Sequence, residues 1–477
     1  MMAVQRNINE DFVQNIWNDQ RFFDVDLKAT DGRSISILKA GIWNSDEGPD
    51  FVRAEVIIDG QLQVGDIEIH VNSSDWYAHE HHLNPRYNRV VLHVVYRDDD
   101  LNLRTRLQDG QRIPTLELLN LLNTPIGDLF DEAEAAKTTT VDFCRVAGKC
   151  LKIGRLKSIF DDLGQERLME KADAMKQLRI RMDFEQLLYE GIMEALGYAK
   201  NREPFRELAR RVPFSALIGK IDEEIQAILF GTAGLLPSQS QRSTNLDQSD
   251  RTFIKRLESI WSASEQARMP TRMVAEQWKF AGNHPPNFPT RRIAAISQLI
   301  GNCQESLMMV YLPIILQSGE ANRKDLGKIR RQLVEKLTPV PSGYWADHCN
   351  FGKRMSQIGA TLIGRSRALD IIVNILMPIA VVWAEESQST TLQVAVERLY
   401  DSCPKLQDNQ ITKQIQSQIF TDLQPFKLIS PNAKTQQGAI YLHKNFCSSR
   451  LCDLCPIING GATDDVAGET VQTTVAK

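Results

Sequence analysis

Residues 44–96 read NSDEGPDFVRAEVIIDGQLQVGDIEIHVNSSDWYAHEHHLNPRYNRVVLHVVY. Three runs inside them, Phe51 to Ile58, Val64 to Val71 and Arg89 to Tyr96, alternate apolar and polar side chains or carry short β-branched stretches, as strands do. Asp59-Gly60 separates the first two and is a hairpin dipeptide. Upstream, Asp26 to Leu38 has a similar pattern around Asp31-Gly32. Between the last two runs, Ser74 or Asp75 can cap a short helix within Ser73 to Asn88. Glu10 to Arg21 places Phe12, Val13, Ile16 and Trp17 at helical spacing. The predicted order is helix, three strands, helix, strand, which is a mixed sheet with a crossover. Leu101 to Leu118 extends the β-like region.

After Phe143 the strand signal nearly vanishes. Arg155 to Arg179, Phe184 to Leu196, Phe205 to Val212 and Ala216 to Leu229 read as helices, as do Arg251 to Arg268, Arg291 to Ile315, Lys324 to Leu337 and Met355 to Glu386. The predicted class is α+β, with an N-terminal mixed-sheet domain over residues 1–135 and a mostly helical remainder. That remainder comprises a helical segment at 143–230, a polar loop at 231–252, a helical domain at 253–458 and a disordered tail at 459–477.

The chain has 477 residues, 42% of them hydrophobic and 24% charged, with a net charge of −4. These are globular values for two or three domains. Residues 251–370 hold 18 Lys and Arg against 9 Asp and Glu, a surplus that suits phosphate or simply solvated helix faces. Leu369 to Ala384 is the most apolar stretch, short for a membrane span and more in keeping with a buried helix. Met1 to Glu10 lacks the basic and apolar regions of a secretory signal. Reduced cysteines, a cytoplasmic location and no membrane are therefore expected.

Residues two apart on a strand share a face, so Glu68 and His70 point the same way, and Asp50 at the start of the neighbouring strand can meet them. Two carboxylates plus water make a site for Mg²⁺ or Mn²⁺. Such an ion activates water and neutralises charge on a phosphoryl group. His70 is a ligand or a proton acceptor for that water. Five of the eight histidines, His70, His79, His81, His82 and His93, fall within 24 residues. His79, His81 and His82 have three readings: solvent-facing loop residues, a zinc site, or contacts to phosphate and the metal-site loop. His93 reads as a core histidine or a supporting one. Asp46, before Pro49, is a candidate for bonding to the ligands rather than to the metal.

Pro49-Asp50 followed by Glu68-x-His70, set in that order of elements, resembles the PD-(D/E)XK nuclease superfamily. The resemblance implies a restriction-endonuclease-like fold in which Asp50 and Glu68 bind metal. His70 stands where those nucleases have Lys, Lys39 is a migrated alternative, and Glu10 on the preceding helix is a further carboxylate. The phrases NSDEGPDF, GDIEIHVNSSDW, HEHHLNPRYNRVVLHVVY, PPNFPTRRIA and NFCSSRLCDLC also look like an uncharacterised bacterial family known only as a domain of unknown function, along nearly the whole chain.

Cys447-x4-Cys452-x2-Cys455 packs three thiols into nine residues, a soft-metal set for Zn²⁺. His443, or a distant Cys144, Cys150, Cys303, Cys349 or Cys403, would be the fourth ligand. An iron–sulfur cluster is the alternative, by analogy with nucleases of that superfamily that carry one, and so is no metal at all. Arg291 and Arg292, beside a helix start, and Lys353 and Arg354, after the aromatic loop Tyr344-Trp345, are candidate nucleic-acid contacts. Arg365 and Arg367 extend the patch. No phosphate-binding glycine loop or GxSxG motif is present. The expected function is a metal-dependent phosphodiesterase acting on DNA or RNA. Its rivals are a non-catalytic nucleic-acid-binding or scaffold protein and a small-molecule metallohydrolase.

Overall fold

Asn9 starts the first helix of the computed structural model, α1 (Glu10–Asn18), where its side-chain oxygen accepts the Phe12 N–H at 3.1 Å. Phe12, Val13, Ile16 and Trp17 are all buried, as their spacing predicts. The structure describes residues 8–44, 48–100, 102, 104–132, 144, 146, 151–240, 246–269, 272–281, 284–303, 305–355, 361–420, 432–448 and 451–460. The chain divides into two units, Met1–Cys150 with Leu442–Lys477, and Leu151–Tyr441. This division differs from the one read from sequence, since the C-terminal cysteines group with the N-terminal unit. Asp46, Cys150 and the tail from residue 461 lie outside the described residues.

The first unit is built on a seven-stranded sheet. Its strands are β1 (Leu27–Lys28), β2 (Ser34–Lys39), β3 (Ile42–Trp43), β4 (Phe51–Ile58), β5 (Gln61–Asn72), β6 (Val90–Arg97) and β7 (Thr115–Glu117). They lie in the order β1-β2-β4-β5-β6-β7, with β3 also on β4. The pairs up to β5 are antiparallel, and β5–β6 and β6–β7 are parallel. Asp59 and Gly60 take φ of 49° and 79°, the positive values that a tight primed hairpin turn requires. The helix α2 (Asp75–Ala78) lies in the crossover from β5 to β6, so the mixed sheet with a helical crossover is observed.

Ile67 and Ile69 of β5 join α1, Leu92 and Val94 in one apolar cluster. Glu68 and His70 alternate to the other face, where Trp76 and Tyr87 form a second cluster. Register pairs Glu68 with His93 across the parallel ladder. A bulge in β4 puts Arg53 at φ 60°, and Asp66 Oδ1 accepts its N–H at 3.2 Å. Bulges re-aim side chains beside functional sites, and this one stands next to Asp50.

The second unit is mostly helical, with a large apolar core and a short hairpin of β8 (His348–Asn350) and β9 (Lys353–Arg354). The predicted polar loop at 231–252 is interrupted by a short helix, Pro237–Ser240, and ends where Asp247 caps Gln248–Ala263. The predicted helix 291–315 is two helices, Pro289–Cys303 and Leu307–Leu316. Arg365–Glu386 is longer than the apolar stretch suggested and passes the length and composition test for a membrane span. Yet 61% of its most apolar window is buried, with Ile371, Ile372, Leu376 and Ile379 in the unit's core. A bent pair, Pro289–Cys303 with Leu307–Gly319, passes the same test among the described residues.

Gly65 marks a close approach of β5 to the start of β6. A Cβ there would lie 2.4 Å from the Arg89 carbonyl oxygen and from a Val91 methyl carbon. Gly65→Ala should therefore cost about 1–3 kcal/mol, read as a lower midpoint in urea unfolding followed by tryptophan fluorescence. An unchanged midpoint would show that the close approach is not required.

Candidate metal centre

His70 lies at the middle of the site and is fully buried. Its Nε2 faces His79 Nδ1 at 3.2 Å, His81 Nε2 at 3.2 Å, Glu10 Oε1 at 3.5 Å and Glu68 Oε1 at 3.6 Å. His81 Nε2 is 3.1 Å from the same Glu68 oxygen. Ligand atoms around one ion with bonds of about 2.0–2.2 Å lie roughly 3.0–3.5 Å apart, so these separations fit a metal at their centre. The ligand nitrogens of His70, His79 and His81 all fall within 4.8 Å of one another, the one such group of three among the described residues.

Local structure explains how residues from a strand, a loop and a helix converge. Glu80, between His79 and His81, takes φ 60°, a left-handed conformation that turns the chain so that both neighbours reach His70. Tyr87 stacks on His81 with ring centroids 3.9 Å apart, and the buried Trp76 lies against His70, His81 and His93. Trp76 is itself pinned by its Nε1, which donates to the Arg106 carbonyl at 3.0 Å. Glu10 comes from the first turn of α1.

The other nitrogen of His70 looks inward. His70 Nδ1 is 2.9 Å from His93 Nε2, His93 Nδ1 is 2.9 Å from Thr105 Oγ1, and Thr105 is 2.9 Å from Thr115 Oγ1. With the His70 proton on Nδ1 donating to His93, and the His93 proton donating to Thr105, the His70 Nε2 lone pair is left for the site. A metal-binding histidine commonly donates its second N–H in this way. His93, a core or supporting residue from sequence, is thus the residue that orients His70.

Asp50 is tied to the same set. Its N–H donates to Glu68 Oε2 at 3.1 Å, its Oδ2 accepts the Ile69 N–H at 2.8 Å, and its Oδ1 accepts Gln14 Nε2 at 2.9 Å. Burial first, then the Glu68 charge, pushes the Asp50 carboxyl up to about 8. Burial also raises Glu68 well above its ordinary value and raises Glu10. On the imidazoles burial acts in the opposite direction, lowering His81 to about 4 and, with His81 alongside, His93 to about 3. His70 is held far below its usual range by burial and then by His93, His81 and His79. Desolvation thus favours the uncharged form of acids and bases alike, and a cation among them favours carboxylates and free lone pairs.

The set opens onto a cleft of about 420 Å³ whose lining includes Glu10, Asp50, Glu68, His79 and His81 together with Asn84, Arg86 and Tyr87. Sequence reading missed the last three, and Gln14 as well. Asn84-Pro85-Arg86-Tyr87 lies beside the histidines but has no periodicity to set it apart. Asn84 caps the turn Pro85–Arg89, accepting the Arg86 N–H at 3.2 Å.

Other expected residues are elsewhere. Lys39 is exposed and pairs with Glu55, its strand partner, at 2.6 Å, and it is not among the residues that line the cleft. His82 lies against Tyr77, with centroids 4.7 Å apart, outside the three-histidine group. Arg291 and Arg292 are buried. Arg291 donates to the Trp345 and His348 carbonyls at 2.7 Å each, and Arg292 to the Leu362 carbonyl, to Asn287 and, at 2.8 Å, to the Tyr198 hydroxyl. They pin a loop to a helix and are not surface phosphate contacts. Trp345 packs on Phe230 in the core. Lys353 and Arg354 are exposed, Lys353 5.4 Å from the Phe288 ring and Arg354 paired with Asp347 and, at 3.1 Å, with Asp247. Arg365 is exposed, while Arg367 lies 3.8 Å over the Tyr198 ring and 3.5 Å from Asp370.

A family model described as "Protein of unknown function (DUF2851)" matches residues 10–409. The chain belongs to that family. No curated protein and no solved structure matches it. The part matched to DUF2851 takes in every member of the histidine–carboxylate set, from Glu10 to His93, and stops short of Cys447.

Replacing His93 by Phe should weaken Zn²⁺ or Mn²⁺ binding about 10–100-fold in a competition titration, with far-UV circular dichroism unchanged. Unaltered affinity would show that His70 is oriented without it.

Proposed function

We propose that this chain is a metal-dependent phosphodiesterase acting on DNA or RNA. The observation that carries the proposal is the convergence of His70 Nε2, His79 Nδ1 and His81 Nε2 with Glu68 and Glu10 at an open cleft. The residues that line the cleft all belong to the first unit. Three imidazoles and two carboxylates suit Zn²⁺ or Mn²⁺ better than Mg²⁺, which prefers oxygen donors. In this proposal His70, His79, His81 and Glu68 hold the ion, with Glu10 completing the set from α1. The bound ion supplies an activated water and charge neutralisation at a phosphoryl group.

The chain's own residues do the rest. His70 is buried and fixed from behind by His93, so it is a ligand and not the base. Asp50, which lines the cleft, fixes Glu68 through its N–H and is itself held by Gln14 and the Ile69 N–H. Arg86 lies on the same cleft and provides positive charge for the anionic substrate. The order of helix, antiparallel strands, crossover and parallel strand supports a restriction-endonuclease-like core, with Asp50 and Glu68 as its acidic pair. Imidazoles and Arg86 take the place of the lysine of those nucleases.

The test is incubation of the full chain with labelled single- and double-stranded DNA and RNA, with Mn²⁺, Zn²⁺, Mg²⁺ or a chelator. Cleavage should require metal and fall by about 10²–10³-fold in Glu68→Gln and His81→Ala. Binding without cleavage, unaffected by those changes, would overturn the proposal in favour of a non-catalytic nucleic-acid-binding protein. Hydrolysis of a small phosphodiester alone would place the substrate among small molecules.

A further inference from the structure

The face of β5 that carries Glu68 and His70 continues past the cleft. Alternation puts Val64 and Leu62 on that same face, and there the cover over the sheet stops. Arg89, the last residue of the turn Pro85–Arg89, reaches back to Asp66, its Nε 3.8 Å from Oδ2. Beyond Asp66, Val64 is 60% exposed and Leu62 57%. Neither belongs to the apolar cluster under α1 or to the one around Trp76.

Register extends this bare surface across three strands. Leu62 pairs with Ile57, which pairs with Ser36, and Val64 pairs with Glu55, which pairs with Lys39. Partners across an antiparallel ladder point the same way, with Cβ atoms about 4.5–5.5 Å apart. Leu38, the extra residue of the β2 bulge beside Lys39, is 55% exposed. Ile42 is 60% exposed, on the side of β3 away from Trp43, which packs on Phe51. An antiparallel sheet with a solvated face ordinarily shows polar side chains there. Here that face shows Leu, Ile and Val instead, and a contiguous exposed apolar surface marks an interaction site.

The charges in the middle of this surface indicate which partner fits. Lys39 Nζ lies 2.6 Å from Glu55 Oε1, with the Lys39 side chain 65% exposed. The row Val64–Glu55–Lys39 therefore carries one anion and one cation side by side. A nucleic acid would call for a surplus of positive charge, which this row lacks. A second copy of the same row is complementary to it. A two-fold axis lying in the face, at right angles to the row and passing between Lys39 and Glu55, sets the copy over it in the opposite sense. Each lysine then meets the glutamate of the other copy, which is the self-complementarity an isologous interface requires.

We propose that this face of β2, β4 and β5 is the interface of a homodimer, with Leu38, Ile57, Leu62 and Val64 buried against a second copy and Lys39 and Glu55 paired across the two-fold axis. None of these residues lines the cleft, so the proposal is independent of the phosphodiesterase reading and stands if that one fails.

The experiment is sedimentation velocity of the full chain over a range of concentrations. The wild-type chain should sediment as a dimer that dissociates on dilution. Leu62→Asp, a change to an exposed side chain, should be monomeric throughout, with the far-UV circular dichroism of the wild type. Lys39→Glu and Glu55→Lys should each raise the dimer dissociation constant about 10-fold or more, because each sets like charges opposite one another. The double variant carrying both changes should recover most of that loss. If Leu62→Asp does not fold, the charge variants decide. A wild-type chain that is monomeric at every concentration, a dimer that survives in a folded Leu62→Asp chain, or a double variant as weak as the singles would overturn the proposal.

Discussion

Strand β5 is buried on both faces from Gly65 to His70, because it lies between an antiparallel neighbour and a parallel one and is covered on each side. On one face Ile67 and Ile69 meet α1 and the Leu92–Val94 pair, and each apolar side chain buried in this way contributes about 1.5–3 kcal/mol. On the other, Glu68 and His70 are removed from water, which is costly for polar groups unless they find partners. The position of nearly every residue at the cleft answers that cost. Asp50 donates to Glu68, His93 bonds to His70, and His79 and His81 close over them. The apolar face fixes the register, and the register in turn fixes what the polar face must satisfy.

The strands were legible because their alternation is a strong, local signal, and Asp59-Gly60 fixed the hairpin between the acidic residues. Parity alone placed Glu68 and His70 on one face. What parity could not give was the rank of the histidines. His79 and His81 are two apart in a loop, where no periodicity applies, and they converge only because Glu80 takes a left-handed conformation. Gln14 was hidden because it lies on an amphipathic helix whose apolar residues explained the pattern without it. Arg86 sits in a turn whose only marker is Asn84-Pro85.

The helical unit shows the opposite failure. Two adjacent arginines at the start of a helix look like an anion site, and in sequence nothing separates that from a structural use. In the structure the Pro289–Cys303 helix is buried almost all round, so the guanidinium groups at its start are removed from water and must find acceptors within the protein. Arg291 and Arg292 find them in the carbonyls of Trp345, His348 and Leu362. Charge counting along a sequence cannot see this, because a buried guanidinium counts the same as an exposed one. The surplus of positive charge in that region is accordingly smaller at the surface than the composition suggests.

A chain of uncharged hydrogen bonds runs from Thr115 on β7 through Thr105 and His93 to His70 on β5. As scaffolding it is a poor substitute for apolar packing, since each neutral hydrogen bond nets only about 1 kcal/mol and each member left unpaired would cost more than that. Two imidazoles and two hydroxyls are therefore hard to account for at the centre of a sheet on stability grounds alone. What the chain does achieve is direction. It fixes the ring plane of His70, and with its hydrogen bonds running from His70 towards Thr115 the His70 proton sits on Nδ1, so that the remaining lone pair points at His79, His81, Glu10 and Glu68. A helix, a strand and a loop thus converge on one atom, His70 Nε2, and the geometry at that atom is the strongest physical reason to look for a metal ion there.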